Sequence, residues 1–435
     1  MLDPTLIGVI GLVALVVLVA LGVHIAFAMF TVSFLGIFFA TSSKAAFSVF
    51  ATAPFSVVAS WTFAAIPLFI IMGELASSAG FTKDVFRTAK NWLGNLPGGL
   101  AMASTLGCAI FSAASGSSLA CAAVMGKVVV PELKKCNYDP GLAAGSVAAS
   151  ATLDPLIPPS ILLVLFGILT GESISKLLIA GIIPGIVSAL LYMAMITVRA
   201  KINPALAPRI PSVSWKEKFL SIKGVFGISF IGFVVMAGLY TGVCTPTEAG
   251  GLGALMALIA VFAMKRLSGS FQAVRETLIE TTRTSSKIFI IIVAATIFSR
   301  FLVMTRLTPL ITSSLLDITT SPYLFTLLMT GIYFSLGFFL EPISLMAITI
   351  PIFMPSVVKM GIHPIWFGIF VMKLVGIGCL TPPVGMTCYV LQSVCPDISL
   401  TTIFRGCLWF VVMDLIGVIL FTVFPQIVMF LPNTM

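Results

Sequence analysis

Residues Asp154–Pro155–Leu156–Ile157–Pro158–Pro159–Ser160 place a carboxylate and three prolines inside an apolar segment long enough to enter a membrane. Proline lacks a backbone donor and clashes with the preceding turn, so no helix continues through this stretch undisturbed. In lipid, the backbone groups freed by such a break cost several kcal/mol unless protein, water or an ion satisfies them. A broken helix at membrane depth therefore lines a cavity. A second double proline, Pro382–Pro383, repeats the feature in the other half of the chain.

Of the 435 residues, 59% are hydrophobic and 9% charged, and the mean hydropathy is +1.16. These values exclude a soluble globular chain. About ten to twelve apolar runs have the length of a bilayer-crossing helix, so the class is an all-α polytopic membrane protein. The net charge of +9 does not point to nucleic acid, because the basic residues sit in short loops between spans, where Lys and Arg set orientation. Eight scattered cysteines without a CxxC spacing, and two histidines, His24 and His363, argue against a metal or disulfide framework. With no HExxH, Ser-Lys or paired-Asp motif, an intramembrane enzyme is not supported. The first apolar segment follows Asp3 and Pro4, lacks a basic n-region, and reads as a retained helix instead of a removed signal.

Residues 5–42 read as two spans joined near Gly22–His24, followed by spans near 46–60 and 61–78, the latter holding Glu74. Over 83–93, Lys83, Arg87 and Lys90 oppose Val85, Phe86 and Trp92, which predicts an amphipathic helix, either at the membrane surface or as a solvated linker. Within 98–127, Ser112, Ser115, Ser117 and Ser118 gather between two apolar arms of about 14 residues, each too short to span. That clustering predicts a re-entrant hairpin whose tip stops near the midplane. One long span with a Gly/Ser packing face is the alternative. Basic loops at 127–135, 199–223 and 265–287 are separated by pairs of spans and so share one side, the cytoplasmic one.

Adding 224 to Pro131, Lys135, Pro140, Val147, Leu156, Pro158, Pro159, Ile174 and Ser175 gives Pro355, Lys359, Pro364, Val371, Leu380, Pro382, Pro383, Ile398 and Ser399. Nine identities without a gap over 128–175, four of them prolines, indicate an internal repeat. The offset carries Ser117–Ser118 onto Glu341–Pro342 and predicts a second hairpin there. The 359–363 link is less basic than its counterpart, as expected if it faces the other side. Inverted repeats with paired broken helices are the architecture of secondary transporters, with the site at the midplane.

A helix restarting at Pro159 turns free N–H groups and its positive end toward the break, which attracts an anion such as a carboxylate or sulfonate. The carbonyls before the break suit a small cation, the hairpin-tip hydroxyls of Ser117 and Ser118 can complete either shell, and Ser160 is a further candidate for the substrate. The same parts recur as Gly378, Thr381, Pro382–Pro383, Gly385 and Thr387, so two cation sites flanking one anionic substrate are expected. An ionised carboxylate near the bilayer centre costs roughly 2.5–3.5 kcal/mol. Asp154 and Glu341 are therefore site candidates, weighed against structural pairing with a base such as Lys373 or Arg300. Lys373 is expected to neutralise either a substrate anion or Asp154. Glu74 and Glu248 rank lower, since packing or capping explains them.

Four stretches carry a family resemblance: SGSSLACAAVMGKVVVPELKK at 115–135, TLDPLIPPSILLVLFGILTGESISKLLIAGIIPG at 152–185, GVCTPTEAG at 242–250, and LTPPVG with PDISLTTIFRG at 380–406. The chain resembles the large membrane subunit of tripartite ATP-independent periplasmic (TRAP) transporters, of the ion-transporter superfamily. The resemblance implies an elevator-type protein of the bacterial inner membrane that imports organic acid anions with sodium. It also implies a small membrane subunit of about four helices and a periplasmic substrate-binding protein. The expected division is scaffold at 1–97, first hairpin and broken helix of the transport domain at 98–175, scaffold at 176–305, second hairpin and broken helix at 306–398, and a C-terminal helix at 399–435. One sodium site carries over to Ser112, Ser115, Asp154, Ile157 and Pro158, and a second to Gly378, Thr381 and Pro382 with Glu341 close by. Many members have glycine at the position of Asp154, aspartate at that of Glu341, and an acid at that of Gly376, near Lys373. A small anion bearing an amine or hydroxyl, or a sulfonate, therefore weighs equally with sugar acids and dicarboxylates. The rival readings are a self-sufficient transporter without a binding protein, and a channel, for which the required continuous polar stripe is missing.

Overall fold

The computed structural model describes residues 3–264 and 267–435, which are helical with no strand among the described residues. Helices α1 (Pro4–Ala20) and α2 (Ile25–Ala40) turn at Gly22, whose φ of +84° suits glycine. Next come α3 (Ser43–Val58), α4 (Ala65–Ser78) and the amphipathic α5 (Phe81–Leu93). Then α6 (Gly99–Ser115) and α7 (Ser118–Lys135) form the expected hairpin. Its arms lie antiparallel, with Cys121 reaching back to Ser112 and to the Cys108 carbonyl. The broken helix is α8 (Pro140–Ala151) and α9 (Ile161–Thr170), and α10 (Ile174–Ile202) closes the first half.

The second half comprises α11 (Trp215–Tyr240), α12 (Pro246–Met264), α13 (Leu267–Met304) and α14 (Leu307–Ile318). A second hairpin follows, α15 (Pro322–Gly337) with α16 (Pro342–Lys359). The second broken helix is α17 (Pro364–Gly378) with α18 (Met386–Val394), and α19 (Leu400–Val423) ends the set. Proline at the first helical position recurs in α8, α16 and α17, where its missing donor does no harm.

The 224-residue offset extends well beyond the stretch that revealed it. Moving α7 by 224 lands on the bounds of α16, and α5 lands within two residues of α14. Helices α3 and α4, separated by a short 3-10 turn, correspond to the two ends of the single 38-residue α13. Contacts also join the two copies. The end of α7 meets the far end of the second broken helix through the Lys134–Asp397 ion pair. Near the start of α17, a Cβ on Gly368 would lie 2.9 Å from Phe166, near the end of α9. Thr152 meets its own repeat mate, Gly376, where a Cβ would lie 3.2 Å from the Thr152 carbonyl oxygen.

Several expectations need correction. Among the described residues seven helices are long and apolar enough to cross a bilayer, fewer than ten to twelve, because hairpin arms and broken helices divide apolar runs into shorter pieces. Lys127, Lys134 and Lys135 lie on α7, and Arg275, Arg283 and Lys287 on α13, all helical where loops were expected. Lys265 and Arg266 lie outside the described residues. Helix α5 buries Phe81, Val85, Phe86 and Ala89 against α6 and α11, so protein covers the apolar face expected at the membrane surface. Helix α10 packs directly on the first break. A Cβ on Gly181 would lie 2.1 Å from the Leu156 carbonyl oxygen, and one on Gly185 2.8 Å from Ile157.

Candidate functional site

The first hairpin tip is turned by Gly116, at φ +59°, where a Cβ would meet Ile161 at 3.3 Å. Ser117 caps α7 by accepting from the Ala120 amide at 3.3 Å. Ser118 donates its hydroxyl to Asp154 Oδ2 at 3.3 Å, joining tip to break. Asp154 is 1% exposed, and its Oδ1 has no hydrogen-bond partner. Three residues before Ser118, the buried Ser115 Oγ is likewise unpartnered. Ser112 is also buried and directs its hydroxyl to Cys121. Neither Asp154 nor Glu341 pairs with Lys373 or Arg300 among the described ion pairs.

The break itself departs from expectation at one residue. Helix α9 restarts at Ile161, not at Pro159, because Ser160 acts as the cap and accepts from the Leu163 amide at 3.4 Å. That hydroxyl is buried and serves as the cap of α9. The side chains of Ile157 and Pro158 line a separate apolar crevice of about 520 Å³ between α6, α10 and α11.

At the second break, the Thr381 hydroxyl donates toward the Ile377 and Gly378 carbonyls at 3.2 and 3.4 Å. Gly378, the repeat mate of Asp154, packs against Gly337 at the end of α15, with a Cβ clearance of 3.1 Å. Pro382 is exposed where its mate Pro158 is buried. Thr387 is fully buried and donates to the Cys379 carbonyl at 2.7 Å, which fastens α18 to the break. Gly385 is required here: its φ is +38° and a Cβ would lie 2.4 Å from Phe404.

Both hairpin tips open onto one cavity of about 720 Å³. Ser115, Ser117, Leu119 and Ala120 contribute from the first tip, and Phe339, Glu341 and Ser344 from the second. Ser344 donates to Glu341 Oε1 at 3.0 Å, holding that carboxylate at the start of α16, where a helix favours negative charge. The opposite wall comes from α4 and α13 and carries Glu74, Glu280, Thr284 and Lys287. The sequence pattern did not single out Glu280, and it placed Lys287 only in the 265–287 basic loop. Their seven-residue spacing puts them on one helical face, but the charge density around them resembles a loop.

Lys373 is not at this cavity. It is 3% exposed, ion-paired with Asp414 of α19, and its Nζ donates to Ser188 Oγ at 2.9 Å. Tyr192 donates to the same Asp414 oxygen at 2.6 Å. The base expected to serve a substrate or Asp154 instead ties α10, α17 and α19 together. Glu248, expected to cap, does so by accepting from the Thr245 amide at 2.8 Å.

A family model described as "Tripartite ATP-independent periplasmic transporter, DctM component" matches residues 12–427. The sialic acid TRAP transporter large permease protein SiaM of Vibrio cholerae is 32% identical over 376 residues, 86% of each chain. The C4-dicarboxylate TRAP transporter large permease protein DctM of Pseudomonas aeruginosa is 31% identical over 374 residues, again 86% of each. The isethionate TRAP transporter permease protein DctMQ of Oleidesulfovibrio alaskensis is 31% identical over 349 residues, which are 78% of this chain and 53% of that longer protein. In fold, the chain is similar to the YdaH transporter of Alcanivorax borkumensis, at a TM-score of 0.63 and 15% identity over 88% of this chain and 90% of that one. The chain is thus a multi-pass membrane protein and a transport subunit, not an enzyme, and its family implies a small subunit and a periplasmic binding protein as partners. It belongs to the tripartite ATP-independent periplasmic transporter family, as the DctM component, the large permease subunit.

Proposed function

We propose that this subunit imports a small organic acid anion, a carboxylate or sulfonate, with sodium, taking it from a periplasmic binding protein at the inner membrane. The observation that carries the sodium reading is Asp154, a carboxylate 1% exposed with one oxygen unpartnered and no base in ion-pair contact among the described residues. A buried, uncompensated charge is strongly unfavourable, and a cation relieves it. The donors in this reading are hard oxygens: Asp154, the unpartnered Ser115 hydroxyl, and the carbonyls of Ile157 and Pro158. An all-oxygen donor set with a single carboxylate suits a hard monovalent cation such as sodium. Gly378, Thr381 and Pro382 would hold a second sodium, with Glu341 nearby. A sodium held at the first site would supply charge compensation to the Asp154 carboxylate, which Ser118 joins to the hairpin tip.

The tips bring Ser117 and Glu341 to one cavity, where the start of α7 offers amides to the anion. The moving unit in this reading is the two hairpins and two broken helices with α10 and α19. Helices α1 to α4 and α11 to α14 stand still. A net inward charge of one at 100 mV supplies about 2.3 kcal/mol, enough for roughly 50-fold accumulation. The test is uptake into proteoliposomes holding both membrane subunits, with the binding protein outside. Uptake is expected under an inward sodium gradient and not under an equal potassium gradient. Equal uptake under both contradicts sodium coupling, and uptake without the binding protein favours a self-sufficient transporter.

A further inference from the structure

We propose that the transported anion also carries an ammonium group, so that it enters the cavity between the hairpin tips as a zwitterion. The inference rests on the sodium-coupled reading above and names the substrate class of that site. The cavity wall holds Glu74, Glu280 and Glu341 against Lys287 alone, with His24 as a further polar group. His24 accepts at Nδ1 from the Ala26 amide at 3.4 Å, the contact that caps α2. Arg283 reaches Glu280 from outside the wall at 3.7 Å, while Asp154 lies just beyond the tip on Ser118.

By formal count the cavity and its margin thus carry four carboxyl groups against two bases, Lys287 and Arg283. Two monovalent cations at the breaks bring this to neutrality. A simple anion then enters with its charge uncompensated, and a dicarboxylate fares worse. A zwitterion adds no net charge.

The wall also has two poles. Glu74 on α4 and Glu280 on α13 line the same cavity, and an ammonium held between them would be favoured by both. Lys287 lies seven residues beyond Glu280, about 10 Å along the helix axis, so the basic end is separate from the acidic one. An unpartnered buried hydroxyl, Ser115 Oγ, lines the same cavity. The anionic group fits Lys287 and the start of α7, and the ammonium fits the Glu74–Glu280 pair.

The test uses the purified complex of both membrane subunits and reads thermal stability with sodium alone, then with matched pairs of probes in sodium. The pairs are aminoethanesulfonate with hydroxyethanesulfonate, and aminopropanoate with hydroxypropanoate, each differing only in amine against hydroxyl. Sodium alone is expected to stabilise, and the amine of each pair to bind about tenfold more tightly than the hydroxyl, a preference that Glu74→Gln and Glu280→Gln reduce to about twofold or less. Equal or tighter binding of the hydroxyl probes by the unmodified complex overturns the inference and leaves sodium coupling standing. So does a preference unchanged in both variants, or no binding of any probe despite sodium stabilisation. Absence of sodium stabilisation overturns the underlying reading and the inference with it. The comparison in the unmodified complex needs no variant to fold.

Discussion

Ser118 on the first hairpin tip donates its hydroxyl to Asp154 in the first break, at 3.3 Å. The contact spans two separately folded elements and orients one carboxylate oxygen, leaving the other free. Hydrogen bonds to charged groups contribute roughly 1.5–3 kcal/mol, and only part of that is felt in ion affinity. Ser118→Ala is expected to raise the half-saturating sodium concentration for uptake about three- to tenfold, and Ser118→Thr to restore most of it. An unchanged sodium dependence in the alanine variant would show that the contact does not matter to the ion.

The Lys373–Asp414 pair makes a different prediction, because it is buried at 3% and 2% exposure and shared with Ser188 and Tyr192. Removing one partner strands a buried charge, so Lys373→Met is expected to destabilise by about 3–5 kcal/mol. Replacing both, as Lys373→Met with Asp414→Leu, is expected to recover most of that loss. Thermal unfolding in detergent reads both. A double variant as unstable as the single would place the defect in packing instead of charge.

Helices α8 and α19 touch at glycine. A Cβ on Gly406 would lie 1.9 Å from the Gly141 carbonyl oxygen, and one on Gly145 2.6 Å from Gly406. Gly406→Ala must therefore push two backbones apart, with an expected loss of about 1–3 kcal/mol. Gly331 in α15 has nothing within 4 Å of such a Cβ, so Gly331→Ala should be neutral or stabilising by up to about 1 kcal/mol. Folded yield by fluorescence size-exclusion separates the two.

Lys135 and Lys359 are repeat mates at the ends of α7 and α16. In a background lacking Cys136, Lys135→Cys and Lys359→Cys are expected to react with an impermeant thiol reagent from opposite faces of the membrane. Reaction from the same face would refute the inversion.

The prolines made the breaks and the repeat legible before any coordinates, since their effect on a helix is local and unavoidable. The serine cluster likewise marked the hairpin tip. Tertiary pairing was not legible. Asp414 sits alone in an apolar helix, and that it answers Lys373, 41 residues earlier on another helix, depends on how α17 and α19 pack. The place of Glu280 and Lys287 at the cavity was hidden for another reason: the amphipathic first half of α13 has the charge density of a loop, and only the fold turns that face to the cavity. Ser160 carried its own signal, a serine immediately before an apolar run, yet its place beside the double proline suggested a ligand and not the cap it forms.

The central claim is that Asp154 and Ser115 hold the coupling cation, and sodium-driven uptake by the reconstituted transporter tests it most directly. Asp154→Ala and Ser115→Ala are each expected to insert normally and to lower uptake at limiting sodium by at least about tenfold, the equivalent of about 1.4 kcal/mol of lost ion binding. Full activity in both variants, with an unchanged sodium dependence, would contradict it.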